Sequence, residues 1–271
     1  MIPKVIHYCW FGGNELPPLA RKCIKSWKKY CPDFKIIEWN EQNYDCTKIP
    51  YMREAYETKK WAFVSDYARL DIIYQNGGVY LDVDVEVIRN FDEMLDCSCF
   101  LAVESTDMIA TGLGFGAEKE NENIKRMMEQ YEGIHFKLGE DLFDTLPCPH
   151  RNTLPFQEMG FIPENRIQNI NGAVIYPAEY FCPLNYKTNQ LMITGNTATI
   201  HHFSASWKTP EEREFLRKIE AYKKQHGKIR SLLYKNYLEY NMYYVKINPT
   251  FMVRFVKNKI KRKWNRWIQK L

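Results

Sequence analysis

The sequence predicts an α/β protein, with a Rossmann-like nucleotide-binding domain over residues 1–208 and a helical extension over 209–271. Three features predict it. Short strand-like runs alternate with segments of helical period from the first residues onward. A Gly77-Gly78 pair turns a long helical stretch into a run that alternates apolar and acidic residues. From residue 209 the pattern is helical, and it ends strongly basic.

Lys4 to Phe11 reads as a buried strand that ends at Gly12-Gly13. A helix follows, with apolar residues at 16, 20, 23, 27 and 30 and with Pro17 and Pro18 in its first turn, where proline is tolerated. Phe34 to Trp39 is the second strand, which completes a βαβ opening of the nucleotide-binding kind. Residues 58–75 are the next helix, with Trp61, Val64, Ala68 and Ile72 on one stripe. Val79 to Val87 reads as one strand. Its period of two puts Asp82, Asp84 and Glu86 on one face and the apolar residues on the other. Phe100 to Glu104 is a further strand and 121–131 a helix. Residues 145–200 hold much of the Pro and Asn, with short strands near 173–176 and 198–203. Thr209, Pro210 and Glu212 fit the N-cap, N1 and N3 positions of a helix running to about Gly227.

With 271 residues, 45% hydrophobic and 26% charged, the chain is neither disordered nor fibrous. No apolar run approaches the roughly 18–20 residues of a spanning helix, and the first residues lack the pattern of a signal peptide. The expected location is therefore the cytosol, with the eight cysteines as reduced thiols. No Cys-x-x-Cys pair offers a structural zinc site, and Cys97 and Cys99 are read as neighbours on one strand face. Residues 251–271 carry eight basic side chains and no acid, whereas the rest of the chain is net −3.

Asp82-Val83-Asp84 is the first candidate for chemistry. A row of carboxylates on one strand face repels itself unless a cation sits there, and oxygen ligands favour Mn²⁺ or Mg²⁺. Such cations bind diphosphates, and the Gly-Gly turn lets something approach the backbone. Ser65-Asp66-Tyr67-Ala68-Arg69 is the second. Asp66 and Arg69 are i, i+3 neighbours, either a surface salt bridge or a pair that grips sugar hydroxyls.

Four segments then occur in a familiar order: Ile2 through Gly13, Ser65-Asp66-x-x-Arg69, Gly77 through Asp84, and His201-His202-Phe203-Ser204-Ala205-Ser206-Trp207. Together they resemble glycosyltransferase family 32, which carries an Asp-x-Asp sugar-binding region, and more distantly the catalytic domain of clostridial glucosylating toxins. The resemblance spans about residues 1–208. It implies a GT-A fold, a nucleotide-sugar donor such as a UDP-sugar, Mn²⁺ or Mg²⁺, and retention at the anomeric carbon. By position it implies that Trp10 stacks on the base beside Gly12, and that Ser65, Asp66 and Arg69 bind the donor sugar. Asp82 assists the metal while holding ribose or sugar, and Asp84 ligates it directly. His201 and His202 alternate, so one of them faces the site, to complete the metal set or touch the diphosphate, with Ser204 a further metal candidate. The Trp207 indole donates to the leaving diphosphate, and Glu86 is structural. Residues 147–155 depart from the family pattern and are placed near the acceptor. Because no nucleophile or general base stands out, same-face attack is expected, assisted by the metal and Trp207.

Family members of this length imply a lipid-linked glycan acceptor in capsule or other surface polysaccharide synthesis. Val253, Val256, Ile260, Trp264, Trp267 and Leu271 lie on one helical face among basic residues, which predicts an amphipathic helix on an anionic membrane surface, at the inner face of the cell membrane. A metal-dependent phosphohydrolase or nucleotidyltransferase is the alternative enzyme, one that leaves Ser65–Arg69 and Ser204–Trp207 without a role. Nucleic-acid binding through the tail is disfavoured by the net −3 body. Asp84→Ala is expected to spare the fold, on the expectation that Asp84 has no buried partner to leave unpaired.

Overall fold

The computed structural model describes residues 1–204, apart from 105, 106, 141, 165, 186, 187 and 189, and residues 214–227, apart from 216, 220 and 223. The chain divides into two units, Met1–Trp207 and Lys208–Leu271. In the second, the described residues of 214–227 are helical. The cap at Thr209–Glu212, Trp207 and the amphipathic stretch 251–271 lie outside the described residues. No helix among the described residues is long and apolar enough to cross a membrane.

The first unit opens with β1 (Val5–Cys9), α1 (Pro18–Tyr30) and β2 (Lys35–Trp39), and β1 and β2 pair in parallel. Pro17 caps α1, and Ala20, Cys23 and Trp27 form its buried stripe. A short helix absent from the sequence reading, α2 (Pro50–Glu57), precedes α3 (Trp61–Asn76). Next come β3 (Gly78–Tyr80), β4 (Val85–Val87), β5 (Cys99–Ala102), β6 (Phe115–Ala117) and α4 (Glu122–Glu129), then α5 (Cys148–Glu158) and β7 (Gln168–Ile170). The unit ends with β8 (Ala173–Tyr176), α6 (Ala178–Phe181), β9 (Leu184–Asn185), β10 (Gln190–Leu191) and β11 (Thr199–His201). Seven strands make one mixed sheet in the order β2-β1-β3-β6-β5-β8-β7, and one hydrophobic cluster lies on each side of it. The α/β class read from the sequence is the one observed. β1, β2 and β3 run parallel, so their carboxyl ends share one edge, where ligands of open α/β sheets bind.

The run 79–87 is not the single strand expected. Leu81 N–H still reaches His7 O at 3.1 Å, but Val85 N–H then closes a turn onto Asp82 O at 3.0 Å. β3 belongs to the large sheet, whereas β4 pairs antiparallel with β11. Alternation runs through the break because Val79, Leu81, Val83, Val85 and Val87 all enter the same core cluster. Cys99 lies on β5, while Cys97 precedes that strand.

The Gly-Gly turn also serves a different purpose. Both glycines have positive φ, and a Cβ on Gly78 would stand 2.8 Å from Val5 O and 2.9 Å from His7 Nε2. What approaches the turn is β1 of the same chain. His7 is buried, with Nε2 donating to Gly77 O and Nδ1 accepting from Trp39 Nε1–H, each at 3.0 Å. Burial lowers its imidazole to about 4, against the pull of the Gly77 carbonyl. The unfolded chain therefore takes up this proton near pH 6.5 and the folded chain only near 4. Stability is full above 6.5 and falls as the pH drops from 6.5 to 4, by up to about 3 kcal/mol from this residue. Denaturant unfolding of wild type and His7→Gln across that range checks it. The amide keeps a donor and an acceptor but does not titrate, so the difference between the two proteins should shrink on acidification. A constant difference would remove His7 as the cause.

Candidate active site

Three functional segments meet at the carboxyl edge of the parallel strands. The turn after β3 carries Asp82 and Asp84. From below, the Trp27 indole on α1 donates to Val85 O at 2.7 Å and fixes the start of β4. The β4–β11 register places His201 opposite Val85, and His202 N–H continues the ladder onto Asp84 O at 3.0 Å. His201 Nε2 thereby comes to 3.1 Å from Asp84 Oδ1, and Ser204 N–H donates to Asp84 Oδ2 at 2.8 Å. Asp82, Asp84 and His201 each offer a ligand atom within 4.8 Å of the others.

Charge explains why these acids tolerate one another. The expected row of three carboxylates on one face is instead three carboxylates that each face nitrogen groups of their own. Asp82 Oδ1 lies 3.5 Å from Arg69, Asp84 pairs with His201, and Glu86 accepts from both Lys22 (2.9 Å) and His202 (2.8 Å). Burial works to raise the Asp84 carboxyl, but His201 and the Ser204 donor outweigh it and hold it below the usual carboxylate range. Burial would lower the His201 imidazole, yet Asp84 and then Asp82 raise it. Burial raises Asp82, with Arg69 opposing and Asp84 reinforcing the rise.

The donor set suits a hard divalent cation, with two carboxylates, one imidazole and no thiol among the three groups. His201 Nδ1 is buried without a hydrogen-bond partner, so this ring is not held from both sides by protein. His202 turns to Glu86 and stays out of the cluster. The bonds to Asp84 correct one expectation: Asp84→Ala would leave His201 and the Ser204 N–H unpaired, so it is a poor test of charge alone.

The Asp66–Arg69 pair is not on the surface. Both residues are buried on α3, with Arg69 Nη2 3.0 Å from Asp66 Oδ1. Ser65 Oγ accepts from the same nitrogen at 3.1 Å, and Arg69 Nε–H donates to Ser65 O. Burial pushes the Asp66 carboxyl up to about 6 against the charge of Arg69, and Asp82 adds to the rise. The guanidinium stacks 5.2 Å from the Tyr80 ring, whose hydroxyl donates to Asp82 Oδ1 at 3.1 Å. Arg69 thus ties the Ser65–Arg69 segment to the Asp-x-Asp turn.

Trp10 follows β1 and is half-buried, with its indole N–H donating to Asn14 O at 2.6 Å. Gly12 has φ +94° and its N–H donates to Glu41 at 2.6 Å. A Cβ there would meet the Trp61 ring at 2.7 Å. Trp10 and Gly12 sit at the same strand edge as the acids.

The sequence reading placed the segment of Cys148 and Asn152 near the acceptor without giving either residue a role, and it passed over Thr111 and Gly112. Cys148 opens α5, with Arg69 Nη1 3.9 Å from its sulfur. Thr111, Gly112 and Asn152 also line this region. The spacing Gly112-x-Gly114-x-Gly116 was the available signal, since glycine within a strand-like run marks a close approach of backbone.

Residues 17–101 match a family model described as "Glycosyltransferase sugar-binding region containing DXD motif", a span that holds Ser65–Arg69 and Asp82–Asp84 but not His201. The chain is 32% identical over 98 residues to inositol phosphoceramide mannosyltransferase 3 of Schizosaccharomyces pombe, covering 35% of this chain and 27% of that protein. It is 31% identical over 110 residues to the uncharacterized glycosyltransferase L373 of Acanthamoeba polyphaga mimivirus, covering 37% of this chain and 42% of that protein. The matched segments span about a quarter to two-fifths of these relatives' length. Among solved structures, the PaToxG glycosyltransferase is similar with a TM-score of 0.46 at 17% identity, over 58% of this chain and 70% of that one.

Proposed function

We propose, starting from residues 17–101 as a glycosyltransferase sugar-binding region with a DXD motif, that the chain is a metal-dependent, retaining glycosyltransferase of the GT-A type. It moves a hexose or N-acetylhexosamine from a nucleoside diphosphate sugar to a glycan acceptor. The observation that carries this reading is the convergence of Asp82, Asp84 and His201 beside the buried Asp66–Arg69 pair. Bound there, Mn²⁺ or Mg²⁺ would neutralise the donor diphosphate and the charge that develops on it. The protein's own groups orient the donor. Asp66 and Ser65 accept from sugar hydroxyls, Arg69 holds both acids in place, and Trp10 offers an aromatic face for the base. Trp207 is assigned the donor N–H to the leaving diphosphate by its place in the family order.

UDP is the donor nucleotide we favour. The mannosyl transfer in the name of the S. pombe relative puts GDP-mannose in the same panel. The acceptor is assigned as a lipid-linked glycan in surface polysaccharide synthesis. Residues 251–271 would keep the enzyme on the cytoplasmic face of the membrane through their apolar stripe and eight basic groups.

Incubation with UDP- and GDP-sugars, without acceptor, tests the reaction. Slow release of nucleoside diphosphate and free sugar is expected with Mn²⁺, falling at least about a hundredfold with EDTA. The first anomer seen by NMR should be that of the donor. A phosphohydrolase would release phosphate whichever sugar is attached, and that outcome would overturn the reading.

A further inference from the structure

We propose that Thr111, Gly112 and Asn152 form a positioning unit that fixes the Asp82 carboxylate and so sets the affinity of the acidic site for its divalent cation. The proposal rests on the reading that Asp82 and Asp84 hold that cation.

Gly112 shows why a glycine stands there. Gly12, Gly77 and Gly78 have positive φ, a conformation that favours glycine, but Gly112 does not. What a side chain would meet is the site itself: a Cβ on Gly112 would lie 2.5 Å from Asp82 Oδ2 and 3.3 Å from Arg69 Nη1. The other Asp82 oxygen accepts from Tyr80 and faces Arg69. Asp82 N–H also points at Gly112 O, at 3.4 Å. The carboxylate therefore rests on the bare backbone of Gly112 on one side and on Tyr80 and Arg69 on the other. An added methyl group would not break the fold, because the atom in its way is the end of a movable side chain. It would move that carboxylate.

The backbone at 109–112 is in turn held by α5. Asn152 Nδ2 donates to Thr111 Oγ1 at 3.0 Å, and Ile109 N–H donates to Thr153 Oγ1 at 2.9 Å. Thr111 Oγ1 also lies 3.5 Å from Arg69 Nη1. Asn152 is fully buried, and its Oδ1 has no partner. A leucine would fill the same space without that unpaired carbonyl, so packing alone does not account for an amide here. Its bond to Thr111 does. Consecutive residues of α5 thus grip the segment that presses on Asp82.

The test is Mn²⁺ titration by EPR, together with melting of the metal-free protein, for wild type, Gly112→Ala, Asn152→Leu and Asp84→Asn. Gly112→Ala should weaken Mn²⁺ binding at least about tenfold while the metal-free melting temperature stays level or rises, since alanine outside the left-handed region restricts the unfolded chain. Asn152→Leu should weaken binding about threefold or more without loss of melting temperature. Wild-type affinity in both Gly112→Ala and Asn152→Leu, with binding lost in Asp84→Asn, would overturn the positioning unit and leave the cation site standing. Failure of wild type itself to bind Mn²⁺ would overturn both.

Discussion

Asp84→Asn is expected to lower sugar transfer by at least about a thousandfold, which corresponds to ~4 kcal/mol of barrier. The substitution removes the charge of the acid that His201 and Ser204 hold ionised below the usual carboxylate range. It keeps an oxygen for the Ser204 N–H, and its Nδ2 can donate to a neutral His201, so the local fold loses little. The cost in stability should stay within the ~1–3 kcal/mol of one disturbed buried hydrogen bond. Turnover within tenfold of wild type, measured with saturating Mn²⁺, would remove Asp84 from the metal set.

The second large effect concerns stability. Arg69 is buried between Asp66 and Asp82, and its guanidinium compensates both. Arg69→Met keeps the stem and leaves two carboxylates facing each other. Breaking a buried pair in this way costs about 3–5 kcal/mol, so denaturant unfolding should show a loss of that size at pH 8. The loss should lessen as the pH falls. Asp66 already sits near 6 with Arg69 present, and without the cation its proton is held more tightly, so the variant recovers as Asp66 protonates. A loss below about 1 kcal/mol would mean that solvent, not Arg69, screens the acids.

Much of this site was legible in the sequence because its chemistry is local. Asp66 and Arg69 are one helical turn apart, and Asp82 and Asp84 follow a glycine turn, so short spacing rules reach them. The βαβ opening was legible for the same reason, since Ala20, Cys23 and Trp27 repeat at helical period. The extent of the strand after Gly78 was not. Alternation reports which residues share a face, and Val79, Leu81, Val83, Val85 and Val87 do enter one core cluster. It did not report that Asp84 on the opposite face is buried as well, and it carries no information about which strand a segment pairs with. α5 was missed because Pro149 and Pro155 lie within its span and argue against a helix. Its first proline falls in the opening turn, where no hydrogen bond is lost. β6 is only three residues long, and with Gly116 and Ala117 beside Phe115 it has too little alternation to advertise a strand. The choice between His201 and His202 depended on the β4–β11 register, a contact between distant segments that spacing rules do not reach.

That register has a consequence for how the molecule matures. The bond from Ser204 to Asp84 joins positions 120 residues apart. A growing or partly folded chain therefore displays its two acids long before the histidine that completes the set arrives. Closing so long a loop is entropically unfavourable and slow. A cation that needs all three groups binds only once the loop has closed, and then opposes reopening by mass action, by about 2.7 kcal/mol at a hundred times its dissociation constant. The ion at such a site would act as a clasp between the middle of the first unit and its final strand as well as a reagent, so that metal supply would govern how much of the protein is finished as well as how fast the finished protein works.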